Sequence, residues 1–208
     1  MQRHGWVLLF HECIVEQLQK LHAATERAQR SDPEGFRHNA NVKLFRTLSQ
    51  LILDTIPSDP ERDEYRQGNT LGPEHRHWRR AKIGRRFRLF FRYDSRTKTI
   101  IFAWVNDEQT LRSTGSKSDP YAVFERMLKR GYPPDAWVKL LAASRSDWSV
   151  AALPGLGRKL QRLRLPPQRH YLRRHGQIPG LPFGMRPGPG KASRRQQCQT
   201  PRRPRIPH

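Results

Sequence analysis

The stretch Arg86-Phe87-Arg88-Leu89-Phe90-Phe91-Arg92-Tyr93 sets basic and aromatic side chains in alternation. In an extended strand, successive side chains point to opposite faces. Phe87, Leu89, Phe91 and Tyr93 therefore share one face, and Arg86, Arg88, Phe90 and Arg92 share the other. The first face reads as core and the second as a basic stripe. Upstream, Arg80 and Lys82 keep the same two-residue spacing and follow Trp78. Cations that recur about every 6.5 to 7 Å along a strand, with the Phe90 ring among them, suit single-stranded RNA. Cations meet phosphates, and a ring offers a base something to stack on. The alternative is an ordinary solvated sheet face, but such faces mix both signs of charge, and this one holds no carboxylate before Asp94. The clustering points to anion binding and by itself says nothing about cleavage.

Other residues have chemistry without a clear assignment. Asn106, Asp107 and Glu108 end the following strand, where a loop could present them to the basic face. Glu108 could act as a general base; the carboxylates could equally cap the loop or pair with Arg112. His75 and His77 invite comparison with histidine-based ribonucleases, although a loop position favours an ordinary surface role. No Cys and His spacing resembles a zinc site, so no metal or other cofactor is expected. Gly155-Leu156-Gly157 follows no strand and has Leu160 where a dinucleotide fingerprint needs its third glycine.

The elements that must position the basic stripe follow from periodicity. Residues 5–10 form a short apolar run. Ile14, Leu18, Leu21 and Thr25 recur at helical spacing, which predicts a first helix over residues 12–29. Asp32 and Pro33 suit the start of a second helix, continued by Val42, Phe45, Leu48, Leu51, Ile52 and Ile56 as far as Pro57. Residues 57–77 are polar and turn-rich. The period then shortens to 2, predicting strands over 78–83, 86–93 and 99–105, antiparallel because their connections are short. The last strand is apolar on both faces and is the most buried. Asp119 and Pro120 begin a third helix that Gly131 stops, and residues 135–143 form a closing helix. The expected fold class is α+β, a small antiparallel sheet with helices packed on one side.

Charge divides the chain. Of 40 Lys and Arg residues, 14 follow residue 150, where there is no Asp or Glu, together with 10 of the 17 prolines. Such a segment cannot bury enough apolar surface to offset its ordering entropy. The expected organisation is a folded domain over residues 1–148 and a disordered basic tail rich in Pro, Arg and Gly over 149–208. A net charge of +22 favours polyanionic partners. Cys13 and Cys198 are too few for a disulfide framework. With no apolar run long enough for a membrane span or signal core, a soluble cytoplasmic protein without membrane contact is expected.

Several stretches together resemble one toxin family. They are Tyr65-Arg66-Gln67-Gly68-Asn69-Thr70-Leu71-Gly72, Trp78-Arg79-Arg80-Ala81-Lys82, Arg88-Leu89-Phe90-Phe91-Arg92-Tyr93, Trp104-Val105-Asn106-Asp107-Glu108 with Thr110 and Arg112, Tyr121-Ala122-Val123-Phe124, and Gly131-Tyr132-Pro133-Pro134. In this order they resemble YhaV-type toxins of the RelE-like superfamily. The resemblance implies a curved antiparallel sheet backed by helices and a metal-independent endoribonuclease acting on messenger RNA, often at the ribosome. It also implies inhibition of translation and growth, and a cognate AbrB-like antitoxin of the PrlF type as partner. Carried onto this chain, it makes Arg80, Lys82, Arg88, Arg112 and Tyr121 the candidate catalytic residues. Arg88 and Arg112 would hold the scissile phosphate, while Tyr121 would stack on a base or transfer a proton. Trp78, Arg86, Phe90 and Arg92 are the candidate RNA-binding residues. A noncatalytic RNA binder would need the stripe but not Arg112 and Tyr121, which lie outside the strands.

Overall fold

The computed structural model describes residues 1–146. The expected basic tail lies outside the described residues. The chain opens with strands β1 (Gln2–Arg3) and β2 (Trp6–His11), then runs into helix α1 (Glu12–Ser31). Helix α2 (Ala40–Gln50) continues through a π-helical turn, Leu51–Thr55, into the short α3 (Ile56–Ser58). Strands β3 (Arg79–Ile83), β4 (Phe87–Asp94) and β5 (Thr99–Val105) follow, then α4 (Pro120–Lys129), α5 (Trp137–Ala142) and β6 (Ser144–Arg145).

The sheet has the order β1-β2-β5-β4-β3, with β6 also paired to β2. β3, β4 and β5 are antiparallel neighbours, as their short connections predict. β2 runs parallel to β5 in the register Val7↔Thr99 to Phe10↔Phe102, so the sheet is mixed rather than antiparallel. The long connection through α1, α2 and the β3–β4 hairpin permits this orientation.

Helices cover both faces of the sheet rather than one. On the first face, Leu8, Phe10, Leu89, Phe91, Ile100 and Phe102 pack with Ile14 and Leu18 of α1 and Phe45 and Leu48 of α2. On the second, Trp78, Phe90, Ile101, Ala103 and Trp104 pack with Tyr121, Phe124 and Leu128 of α4 and Leu140 of α5. Every residue of β5 is buried, as two apolar faces require. A β-bulge adjusts the second face. Phe90 pairs with Trp104 and Phe91 with Phe102, so Ala103 and Trp104 together oppose one residue of β4. Both turn toward α4, where Phe124 stacks on Phe90 at 4.2 Å and Trp104 at 5.8 Å.

The start of the second helix also differs from its sequence signal. Asp32 closes α1, donating its N–H to the Ala28 carbonyl at 3.0 Å, and its carboxylate accepts from the Gly35 N–H at 2.7 Å. The actual cap of α2 is Asn39, whose side chain accepts from the Asn41 N–H at 2.9 Å. Pro57 sits inside α3 rather than ending the helix before it. No helix among the described residues is long and apolar enough to cross a membrane.

Candidate active site

The second face of the β3–β4 hairpin carries the basic stripe, and the N-terminal turn of α4 lies over it. Lys82 and Arg88 are partners across the two strands, as are Arg80 and Phe90. Arg80 donates through Nε to the Tyr121 hydroxyl at 2.8 Å and through Nη1 to the Glu64 carbonyl at 2.6 Å. The Tyr121 ring meets Phe90 edge-on at 5.6 Å, and the Arg112 guanidinium lies over it at 5.1 Å. Arg112 is tied back to the hairpin, since its N–H donates to the Arg86 carbonyl at 3.1 Å. A closed circuit therefore runs from Arg80 through Tyr121 and Arg112 to Arg86, and along the strands through Arg88 and Lys82. All five candidate catalytic residues belong to it.

Two residues hold this circuit in shape. Asp119 is the N-cap of α4, accepting from the Tyr121 N–H through Oδ1 at 3.0 Å. Its Oδ2 accepts from the Ser113 N–H at 3.0 Å and from the Arg112 guanidinium. Arg112 thus pairs with Asp119 and not with Asp107 or Glu108. Asn106 is buried and locks β4 to the turn beyond β5. It accepts from the Arg88 N–H at 2.6 Å and donates to the carbonyls of Arg86 at 3.2 Å and Thr110 at 2.8 Å. Asp107 caps the turn Glu108–Thr110 through a reciprocal capping box, and Glu108 is exposed. Sequence signals gave Asp119 only a capping role, because its charge partner lies in a loop seven residues upstream.

Arg88 is 7% exposed, and its Nη1 donates to the Phe87 carbonyl at 2.7 Å. Its Nε is buried without a hydrogen-bond partner, and no carboxylate pairs with it among the described residues. Lys82 and Arg86 are exposed.

The expected base-stacking surface is corrected by the cover that α4 and α5 provide. Trp78 and Phe90 are fully buried, so neither ring has a free face. Arg92 is half-buried between the rings of Trp78 at 5.6 Å and Trp137 at 5.3 Å, and donates to the Asp135 carbonyl. Burial lowers its pKa from the ordinary arginine value, against the pull of the Asp135 charge. Of that set, Arg86 alone is exposed.

Beyond Arg92, His75 and His77 meet Asp135 from the turn before α5. His77 Nε2 lies 2.8 Å and His75 Nδ1 3.5 Å from Asp135 Oδ1, which also accepts from the Trp78 indole N–H at 2.6 Å. Burial alone would raise the Asp135 pKa, but these bonds and the neighbouring histidines bring it below the ordinary carboxylate value. This grouping was hidden in the sequence because its acid stands 58 residues beyond His77.

Residues 8–145 match the family model described as a toxin with endonuclease activity, of a toxin–antitoxin system. The toxin YhaV of Escherichia coli O6:H1 and the ribonuclease toxin YhaV of Escherichia coli (strain K12) are each 42% identical to this chain over 139 residues, covering 66% of this chain and 90% of theirs. No solved structure matches the chain. The family pattern covers β3 to β6, both positioning residues and all the cations of the circuit, and the chain belongs to the YhaV family of toxins with endonuclease activity from toxin–antitoxin systems.

Proposed function

We propose that this toxin is an endoribonuclease that cuts messenger RNA by attack of a 2′-hydroxyl on the adjacent phosphate, using side-chain cations in place of a metal ion. Tyr121 held between Arg80 and Arg112, beside the cross-strand pair Lys82 and Arg88, carries this reading, and among the described residues Asp119 is the one carboxylate paired with these cations. Such a reaction must stabilise a pentavalent anionic phosphate and move two protons, one from the attacking hydroxyl to water and one onto the leaving 5′-oxygen. Arg88 has no acidic partner among the described residues and offers its guanidinium fork to the phosphate. Arg112, oriented by Asp119 over the Tyr121 ring, supplies a second fork. Lys82 adds a point charge across from Arg88. The Tyr121 hydroxyl accepts from Arg80, which leaves its own proton to donate to the leaving oxygen. Arg86 and the neighbouring exposed Arg85 extend the positive surface along the RNA backbone.

The same reading gives a RelE-like fold to residues 1–148, a cytoplasmic location, and neutralisation by an AbrB-like antitoxin of the PrlF type. The tail over 149–208 adds non-specific affinity for RNA through its positive charge. Single-turnover cleavage tests the assignment. Lys82→Ala and Arg88→Ala should each slow cleavage by about 10² to 10³, as loss of one transition-state donor does. Lys82 is exposed, so its replacement should change stability by within about 0.5 kcal/mol. Cleavage at the parent rate by both folded variants would refute the site.

A further inference from the structure

His75, His77 and Asp135 lie apart from the circuit described above, beside Arg92 and four residues along β4 from Arg88. Each offers one donor atom, and the three donors lie within 4.8 Å of one another. A tetrahedral ion bound at about 2.0 to 2.1 Å from nitrogen and oxygen donors places those donors about 3.3 Å apart. His75 Nδ1 and Asp135 Oδ1 stand at 3.5 Å, His77 Nε2 and Asp135 Oδ1 at 2.8 Å, and all three donors within 4.8 Å, so changes of up to about 1.5 Å in their separations complete the set.

A second observation points the same way. The His75 side chain is 10% exposed, and its Nδ1 is buried with no hydrogen-bond partner, aimed at the Asp135 carboxylate. A buried polar atom left unsatisfied is costly and calls for a ligand. The surroundings suit a cation. Trp78 Nε1 already orients the Asp135 carboxylate, as hydrogen bonds behind a ligand do. Arg76, between the two histidines, is turned away and donates to Asn69 Oδ1 at 2.8 and 3.2 Å. Arg92 is occupied by two indole rings and the Asp135 carbonyl. Two imidazoles and one carboxylate favour a borderline divalent ion of the zinc class over calcium or magnesium, which prefer oxygen-rich sites.

We propose that His75, His77 and Asp135 bind one first-row divalent ion of the zinc class, which clips the loop before β3 to the turn before α5. The ion takes three protein donors and keeps its remaining position for water on the side of His77, whose side chain is 35% exposed.

Cobalt(II) is the probe, because its visible absorption reports histidine ligation and low coordination number directly. The full chain, stripped with a chelator, is titrated with cobalt beside His77→Gln and Asp135→Asn. The tail histidines and Cys198 are common to all three proteins and cancel in the comparison. The parent should bind one more equivalent than either variant, with absorption that zinc displaces, and each variant should bind at that site at least about 100-fold more weakly. Zinc should also raise the thermal midpoint of the parent but not that of His77→Gln. His77→Gln replaces a side chain that is 35% exposed with one that can still donate to Asp135, so without metal its midpoint should stay close to the parent's, which separates ligand loss from unfolding. Equal cobalt stoichiometry and unchanged spectra in folded variants would overturn the proposal.

Discussion

Asp119 is 4% exposed and accepts from the Arg112 guanidinium and from the Ser113 and Tyr121 amides. Substitution of Arg112 therefore acts on the fold as well as on chemistry. Arg112→Ala leaves the carboxylate buried without its cation and should cost about 1 to 3 kcal/mol of stability. Arg112→Lys restores the charge but not the fork, so it should recover most of that stability while cleavage stays impaired. Equal thermal midpoints for the alanine variant and the parent would show that the pair does not hold α4 in place. His11 is a second buried polar residue with a measurable consequence. It caps α1 by accepting from the Cys13 N–H at 3.3 Å, and burial lowers its pKa from 6.5 against the opposing charge of Glu12. The folded state thus resists protonation that the unfolded chain accepts. The stability this contributes is complete above about pH 6.5 and is lost as pH falls from there toward the folded value. His11→Asn keeps a capping side chain and should flatten the decline in urea midpoint between about pH 7 and pH 5. An unchanged pH slope would contradict this. Cys13 has its thiol pushed up to about 12, chiefly by burial and then by Glu16. In a Cys198→Ser chain it should resist alkylation at pH 8 until denaturant is added, because the thiolate is the reactive species.

Among the elements, α4 sets the difference between an open basic face and a covered one. Phe124 lies parallel to both Phe90 and Trp104, at 15° and 7°, in the space made by the β5 bulge. Phe124→Ala should cost about 3 to 5 kcal/mol, comparable with Phe91→Ala on the opposite face. A loss below about 1 kcal/mol in the denaturant midpoint would mean that α4 rests only loosely on the sheet. The alternation in β4 was legible from the sequence, and Leu89 and Phe91 face the core as expected. The fate of the other face was legible only in part. β5 is apolar on both sides, which calls for cover on both, yet the arginines of β4 suggested solvent. The structure meets both demands by burying Phe90 under Phe124 and seating Arg92 between two indole rings. The parallel pairing of β2 with β5 could not be read, because no local pattern encodes which distant strand an isolated apolar run will join. Asp32-Pro33 gave a misleading start signal, since Asp32 serves the end of one helix and a turn before the next.

At the scale of the whole chain, the family pattern ends at residue 145, close to the last strand pair, Phe10↔Arg145 and His11↔Ser144. A chain ending at residue 148 keeps every described strand and helix, and should retain cooperative unfolding and RNA cleavage. Loss of 14 basic residues should weaken RNA binding and flatten its dependence on salt. Loss of the unfolding transition on truncation would place the tail within the fold. In the proposed reaction, side-chain cations promote attack by the RNA's own 2′-hydroxyl. The most direct test is cleavage, in excess chelator and well below the unfolding temperature, of two RNAs that differ only by a 2′-deoxy nucleotide at the mapped scissile position. The all-ribose RNA should be cut to a 2′,3′-cyclic phosphate and a 5′-hydroxyl, and the substituted RNA should remain intact at that position. Cutting of both RNAs at one rate, or of neither until a divalent metal is restored, would contradict the mechanism.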